Sequence, residues 1–252
     1  MVRASARCTL PFRLGLLLAL GPVSVVFSAP AATGLGSSWL APGAVDPSAL
    51  LPAPPAADSL VQRAELEVLL HLQAERTPAQ IARAKVVESE DVFVFGADVL
   101  GEWFTAANLP QTADFFAKVR EEFVPINTAA KQLFKRRRPP YLDARIKPCV
   151  KYADTGSYPS GHGMQSAMWA GLLGAIFPEQ ADGFARRAGE SRWCRLLAGV
   201  HNPSDVEAGR VVGEAIAREL LKNPAVQQAG AAIRAEVQAH RPPVAEPVPA
   251  GK

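Results

Sequence analysis

The chain has 252 residues, 48% of them hydrophobic and 20% charged, which supplies one sizeable core and excludes the disordered and fibrous classes. The formal charge is only +3, and Arg3, Arg7 and Arg13, in an N-terminal stretch without acids, account for that whole excess. Bulk charge therefore gives no basis for nucleic-acid binding.

Residues 1–31 read as a secretory signal, with a basic start, an apolar stretch from Leu14 to Phe27 broken by Gly21 and Pro22, and small residues around Ala29-Pro30-Ala31-Ala32. Cleavage near Ala31 would yield a periplasmic or secreted protein; an uncleaved anchor is the alternative. The apolar stretch is shorter than the ~20 residues that span a bilayer, and the later run from Trp169 to Phe177 is shorter still. No membrane span is expected once the signal is removed. Cys8 would leave with it. Cys149 and Cys194 then form a pair in an oxidising compartment, where a disulfide would close a loop of about 45 residues and stabilise the fold by roughly 4 kcal/mol.

Residues 32–57 form a Pro/Ala-rich arm with little periodicity. Helices are then expected from Asp58 or Ser59 to about Arg76, from Thr77 to about Ser89, and over Val92 to Ala107. Thr77-Pro78-Ala79-Gln80 carries a capping-box signature with proline at the first helical position. A long amphipathic segment follows from Thr112 through Phe134, with a bend at Pro125. Residues 139–159 should be an irregular loop. Helices over about 161–177, 181–199, 204–222 and 223–240 complete a domain spanning residues 58–240, before a Pro-rich tail at 241–252 expected to be disordered. The economical architecture is all-α, a single helical bundle. Its paired apolar helix faces leave a homo-oligomer open.

Three sites concentrate residues suited to an anion. Lys131 precedes Arg138 by seven positions, so a continuing helix would place both on one face; the neighbours Lys135, Arg136 and Arg137 read equally as a solvated basic face. In Ser157-Tyr158-Pro159-Ser160-Gly161-His162, a hydroxyl, unpaired backbone N–H groups and an imidazole meet at a helix entry, where the macrodipole attracts anions. The bland alternative is a helix cap with a nearby histidine. In Arg195-Leu-Leu-Ala-Gly-Val-His201-Asn-Pro-Ser-Asp205, the carboxylate can accept one ring N–H of His201 and free the other nitrogen to attack. A surface histidine near an N-cap aspartate is the alternative there.

Taken in order, Lys131-x6-Arg138-Pro139, Pro159-Ser160-Gly161-His162 and Arg195-x5-His201-x3-Asp205 resemble the signature of the type 2 phosphatidic acid phosphatase (PAP2) superfamily. That superfamily includes bacterial class A non-specific acid phosphatases and vanadium haloperoxidases. The expected exported single-domain layout is most similar to class A, and the likeness extends less specifically over Gly101-Glu102-Trp103-Phe104 and Asn108-Leu109-Pro110-Gln111-Thr112. One departure is Cys194, where the family usually has Ser before the arginine; Arg192, after Ser191, is a second candidate for that arginine.

The resemblance implies that Lys131, Arg138 and Arg195 hold phosphate oxygens, with Ser160 and the N–H of Gly161 completing the cradle. His201 would attack phosphorus to form a phosphohistidine, Asp205 would orient it, and His162 would protonate the leaving group. Small phosphate monoesters would be the substrates, without a metal cofactor. His71 and His240 lack ligand partners at coordinating spacing, and Glu65, Glu67, Glu88, Glu90 and Asp91 read as solvated faces. Tyr152 and Tyr158 are expected at the substrate entrance, able to stack on an aromatic leaving group. Alternatives are a haloperoxidase with vanadate as its cofactor (in a phosphatase vanadate would be an inhibitor), a lipid-phosphate phosphatase, and a non-catalytic phosphate-binding protein.

Overall fold

In the computed structural model, residues 38–242 are described. The expected signal, the first residues of the arm and nearly all of the Pro-rich tail lie outside them. Among the described residues all regular structure is helical: α1 (Pro47–Leu50), α2 (Leu60–Glu75), α3 (Pro78–Glu88), α4 (Val92–Leu100), α5 (Pro110–Phe134), α6 (Pro139–Leu142), α7 (Gly161–Ile176), α8 (Ala181–Leu197), α9 (Pro203–Lys222) and α10 (Pro224–His240), with a 3-10 turn at Pro178–Gln180.

Local chemistry sets the helix ends. Ser59 caps α2 by accepting from the Gln62 N–H, and Thr77 and Gln80 form the expected reciprocal capping box of α3. The fourth helix stops at Leu100 rather than near Ala107, because Gly101 takes a φ of 109° that L side chains avoid. At the start of α5, Leu109 offers no side-chain cap. Glu236 on α10 supplies it from a distance, accepting the N–H groups of Gln111 at 2.8 Å and Thr112 at 2.9 Å. The α5 helix runs through Pro125, whose position on the exposed side lets water satisfy the freed carbonyl.

Helix α7 is apolar around most of its circumference and forms the centre of the core, packing most extensively on α9 and then on α8. A Cβ at Gly209 would lie 2.5 Å from the Ser160 carbonyl oxygen, and one at Gly213 would lie 2.1 Å from that of Met164. Glycine there lets the backbones of α7 and α9 approach, which brings the entrances of both helices to one point. The described part of the arm is docked rather than free: Ser38 and the Trp39 N–H both donate to buried Glu122, and Val45 and Leu51 are buried.

Candidate functional site

The two cations of the first site do not share a continuing helix. Helix α5 ends at Phe134, Lys135 adopts a left-handed φ of 48°, and the chain turns back so that Arg138 caps α6. The break, not helical periodicity, brings Arg138 beside Lys131. Lys131 Nζ donates to the carbonyls of Gly156 at 2.8 Å and Pro159 at 3.0 Å, which leaves its third N–H uncommitted. Arg138 is buried and clamped by the carbonyls of Ala153, Thr155 and Val200, each at 3.0 Å.

Ser160 is the N-cap of α7, as its sequence context predicts: its Oγ accepts from the Gly163 N–H at 3.2 Å and its own N–H donates to the Asp205 carbonyl at 2.8 Å. That second bond ties the entry of α7 to the first turn of α9. His162 Nε2 lies 3.0 Å from the Glu88 carbonyl oxygen. A carbonyl only accepts, so Nε2 carries the proton and Nδ1 is the nitrogen left available.

Arg195 sits in the last turn of α8 with only 2% of its surface exposed, and its Nε and Nη1 find no hydrogen-bond partner among the described residues. Arg192 does not reach the site; its charge neighbours are Arg210, Glu207 and Glu214 on α9. Gly199, at φ 74°, ends the α8 turn and swings the chain to His201. His201 Nε2 lies 3.2 Å from Arg138 Nη1, a donor, so Nε2 presents a lone pair and the ring proton belongs on Nδ1. Nδ1 faces Asp205 Oδ2 at 3.6 Å, too long for a hydrogen bond in this state. Asp205 is fully buried. It is the third residue of α9, which starts at Pro203, one residue before the expected start near 204, with Asn202 as its N-cap.

The buried cations perturb each other. Burial, then repulsion from Arg138, pushes Lys131 down to about 7 and Arg195 down to about 10. Burial, reinforced by Arg195, lowers His162 to about 4, while burial holds His201 well below 6.5, so both imidazoles are neutral near neutral pH. Burial alone would raise Asp205, but His201 and Arg136 together hold it below 3.8.

These groups line a cavity of about 1050 Å³ that includes Lys131, Arg138, Gly161, His162, Arg195 and His201. Ser160 and Asp205 stand behind its wall. Tyr152 lies on the wall, with Arg138 5.6 Å above its ring and Tyr141 packed edge-on at 6.1 Å. Tyr158 does not line the entrance. It is buried in the core, edge-on to Phe134, with its hydroxyl donating to the Pro52 carbonyl at 3.0 Å. Cys149 and Cys194 are free cysteines, so the expected disulfide is not formed. They serve as small apolar side chains: Cys194 is buried with Ala84, Val87, Leu197 and Val200, Cys149 packs at the edge of that cluster, and burial raises the Cys194 thiol to about 11. Among the described residues no group of three or more His, Cys, Asp or Glu side chains is arranged to hold a metal ion, and no helix is long and apolar enough to cross a membrane.

Sequence reasoning missed two buried carboxylates and one arginine. Glu65 and Glu90 are not solvated: Glu65 pairs with Arg136 at 2.6 Å, and Glu90 is enclosed by Arg187 and Ser191. Arg136, taken from within a basic run, is buried and donates to Asp205 at 2.6 Å. Glu88 lines the cavity, Asp91 caps α4, and Glu67 remains exposed, paired with Arg145. Asn127 also lines the cavity beside Gly161. Its polar side chain on the inner face of α5, one turn before Lys131, was the available signal.

Residues 116–227 match the model of the PAP2 superfamily. The chain is 28% identical over 195 residues to the non-specific acid phosphatase of Salmonella typhi, covering 74% of this chain and 78% of the relative. The namesake from Providencia stuartii is 29% identical over 196 residues, covering 73% and 78%. The crystal structure of the first transmembrane PAP2 type phosphatidylglycerolphosphate phosphatase from Bacillus subtilis aligns with a TM-score of 0.46 and 19% identity, over 70% of this chain and 89% of that one.

Proposed function

We propose, from the match of residues 116–227 to the PAP2 superfamily model, that the chain is an acid phosphatase of that superfamily, exported by its N-terminal signal, that hydrolyses small phosphate monoesters through a phosphohistidine without a metal. The observation that carries this reading is Arg195: a buried guanidinium with unpartnered Nε and Nη1, beside Arg138 and Lys131, suits a multiply charged anion. The relatives' shared designation as non-specific acid phosphatases supports the same chemistry.

In the proposed reaction, Lys131, Arg138 and Arg195 hold the non-bridging oxygens and the Gly161 N–H completes the cradle, while Ser160, behind the wall, fixes the helix entry that presents it. The His201 Nε2 lone pair attacks phosphorus as the P–O bond to the leaving group breaks, and the leaving oxygen takes the proton held by His162 on Nδ1. Asp205 draws in the His201 Nδ1–H and offsets the charge of the cationic phosphorylated ring. Water then gives a proton to the neutral His162 and attacks phosphorus; the P–N bond breaks, and His201 is regenerated with its lone pair on Nε2. Loss of the Lys131 charge above about 7 weakens the cradle at higher pH, which favours activity on the acid side.

The test is hydrolysis of p-nitrophenyl phosphate at about pH 5 to 6 with EDTA present, by the mature protein and its His201→Ala variant. Turnover by the parent and its loss in the variant are expected. A folded parent that binds phosphate without turnover refutes the reading, and activity that needs an added metal refutes its metal-free form. Recovery of the mature protein from the cytoplasmic fraction alone would refute export.

A further inference from the structure

Behind the cavity, α2 reaches the carboxylate that faces His201 through a buried relay. Arg136 Nη1 donates to Asp205 Oδ1 at 2.6 Å and to Ser204 Oγ at 2.7 Å, while Nη2 donates to Glu65 Oε2 at 2.6 Å and Gln62 Oε1 at 2.7 Å. The side chains of Glu65, Arg136 and Asp205 are 9%, 4% and 0% exposed. Glu65 Oε1 accepts the Ser204 N–H at 2.7 Å, and Gln62 Nε2 donates to Asn202 Oδ1 at 3.2 Å, so α2 also grips the first turn of α9. The other Asp205 oxygen accepts the Asn202 N–H at 2.7 Å and is the one turned toward His201.

The charge count gives this arrangement its meaning. One arginine between two carboxylates leaves a single net negative charge beside His201. Were Glu65 neutral, Arg136 and Asp205 would sum to zero, and the ring would face only the weaker field of that dipole where its own positive charge must develop. Buried opposite charges at such distances are coupled strongly enough for that difference to matter. The other charges bearing on this cluster are Lys131 and Arg138, both cationic and both on the cavity side.

We propose that Glu65, acting through Arg136, is a positioning residue for the reaction at His201: it draws off the charge of Arg136 so that Asp205 stays free to orient and balance the nucleophile. Glu65 lies outside residues 116–227, so the matched region alone does not contain the complete charge set. The inference rests on the histidine-phosphatase reading above.

Two variants of the mature enzyme test it. Glu65→Gln keeps the shape and removes the charge; the pair Gln62→Glu with Glu65→Gln moves the carboxylate one turn along α2, to a side chain whose oxygen already meets Arg136 Nη2. With p-nitrophenyl phosphate, Glu65→Gln should lower kcat about ten- to a hundredfold, while the inhibition constant of inorganic phosphate changes less than about threefold, because the cradle itself is untouched. The charge-relocating pair should recover most of kcat. Full kcat in a folded Glu65→Gln, or equal losses in kcat and phosphate binding, overturns the inference. Should Glu65→Gln fail to fold, the pair decides alone: a folded pair with near-parental kcat supports the proposal, and one without it, or a pair that also fails to fold, overturns it in favour of a purely structural role. A parent that binds phosphate without turnover removes the phosphatase reading itself, and this inference with it; an active parent with an indifferent Glu65 removes only the latter.

Discussion

The proposed acid role of His162 conflicts with its charge in the structure, and the conflict yields a measurement. A group held at about 4 is only about 3% protonated at pH 5.5, yet it must hold a proton to release a leaving group. Burial is the first cause of that depression, and the charges of Arg195, Lys131 and Arg138 add to it. A dianion in the cradle offsets those charges and adds its own attraction for a proton against the cost of burial, so His162 should rise toward its ordinary 6.5. A full return couples the anion and the proton by about 3 kcal/mol. Binding sulfate, which does not titrate in this range, should then draw up to about 0.9 proton from the buffer per site at pH 5.5. Calorimetric titration in two buffers of different ionisation enthalpy reads that uptake directly, and His162→Asn should abolish it. Lys131 contributes little there, since it is already charged below its value of about 7. Uptake below about 0.2 proton, or equal uptake in parent and variant, would refute the argument.

Three further outcomes follow from the geometry. As pH rises through about 7, Lys131 loses its charge, so phosphate should inhibit less well, by up to about tenfold per unit for a fully coupled proton; Lys131→Met should flatten that dependence in an inhibition series. Gly213→Ala would place a methyl 2.1 Å from the Met164 carbonyl oxygen, so thermal unfolding should show about 1–3 kcal/mol of lost stability. Tyr158→Phe should cost about 1 kcal/mol through its bond to Pro52 and leave the ratio of aryl to alkyl phosphate turnover unchanged, whereas Tyr152→Ala should lower that ratio.

The helices were legible where local signals set them: Thr77 to Gln80 for a cap, Ser160 at the entry of α7, and apolar periodicity along α5. The three motifs converge because each ends at a helix terminus, and such termini can be read from capping residues and proline. What sequence could not carry was direction within irregular chain. Arg136 and Arg137 are adjacent and chemically identical; the left-handed turn at Lys135 sends one into the protein and leaves the other exposed. Glu65 looked solvated because the arginine that buries it lies 71 residues away. Tyr158 and Tyr152 share a loop without periodicity, and only tertiary contact separates the core residue from the wall residue.

The backbone bond from Ser160 to the Asp205 carbonyl, with the glycines that allow it, welds the entry of α7 to the first turn of α9. Much of the cavity mouth, by contrast, comes from the loop that carries Lys151, Tyr152, Ala153 and Asp154. The same loop also holds the proposed cradle, since the carbonyls of Ala153 and Thr155 clamp Arg138 and that of Gly156 accepts from Lys131, while the side chains of Lys151 and Asp154 are exposed. Randomising only the exposed Lys151 and Asp154, with the weld and the clamp on Arg138 left alone, should yield a family of enzymes that differ in what they accept and agree in how they cleave it.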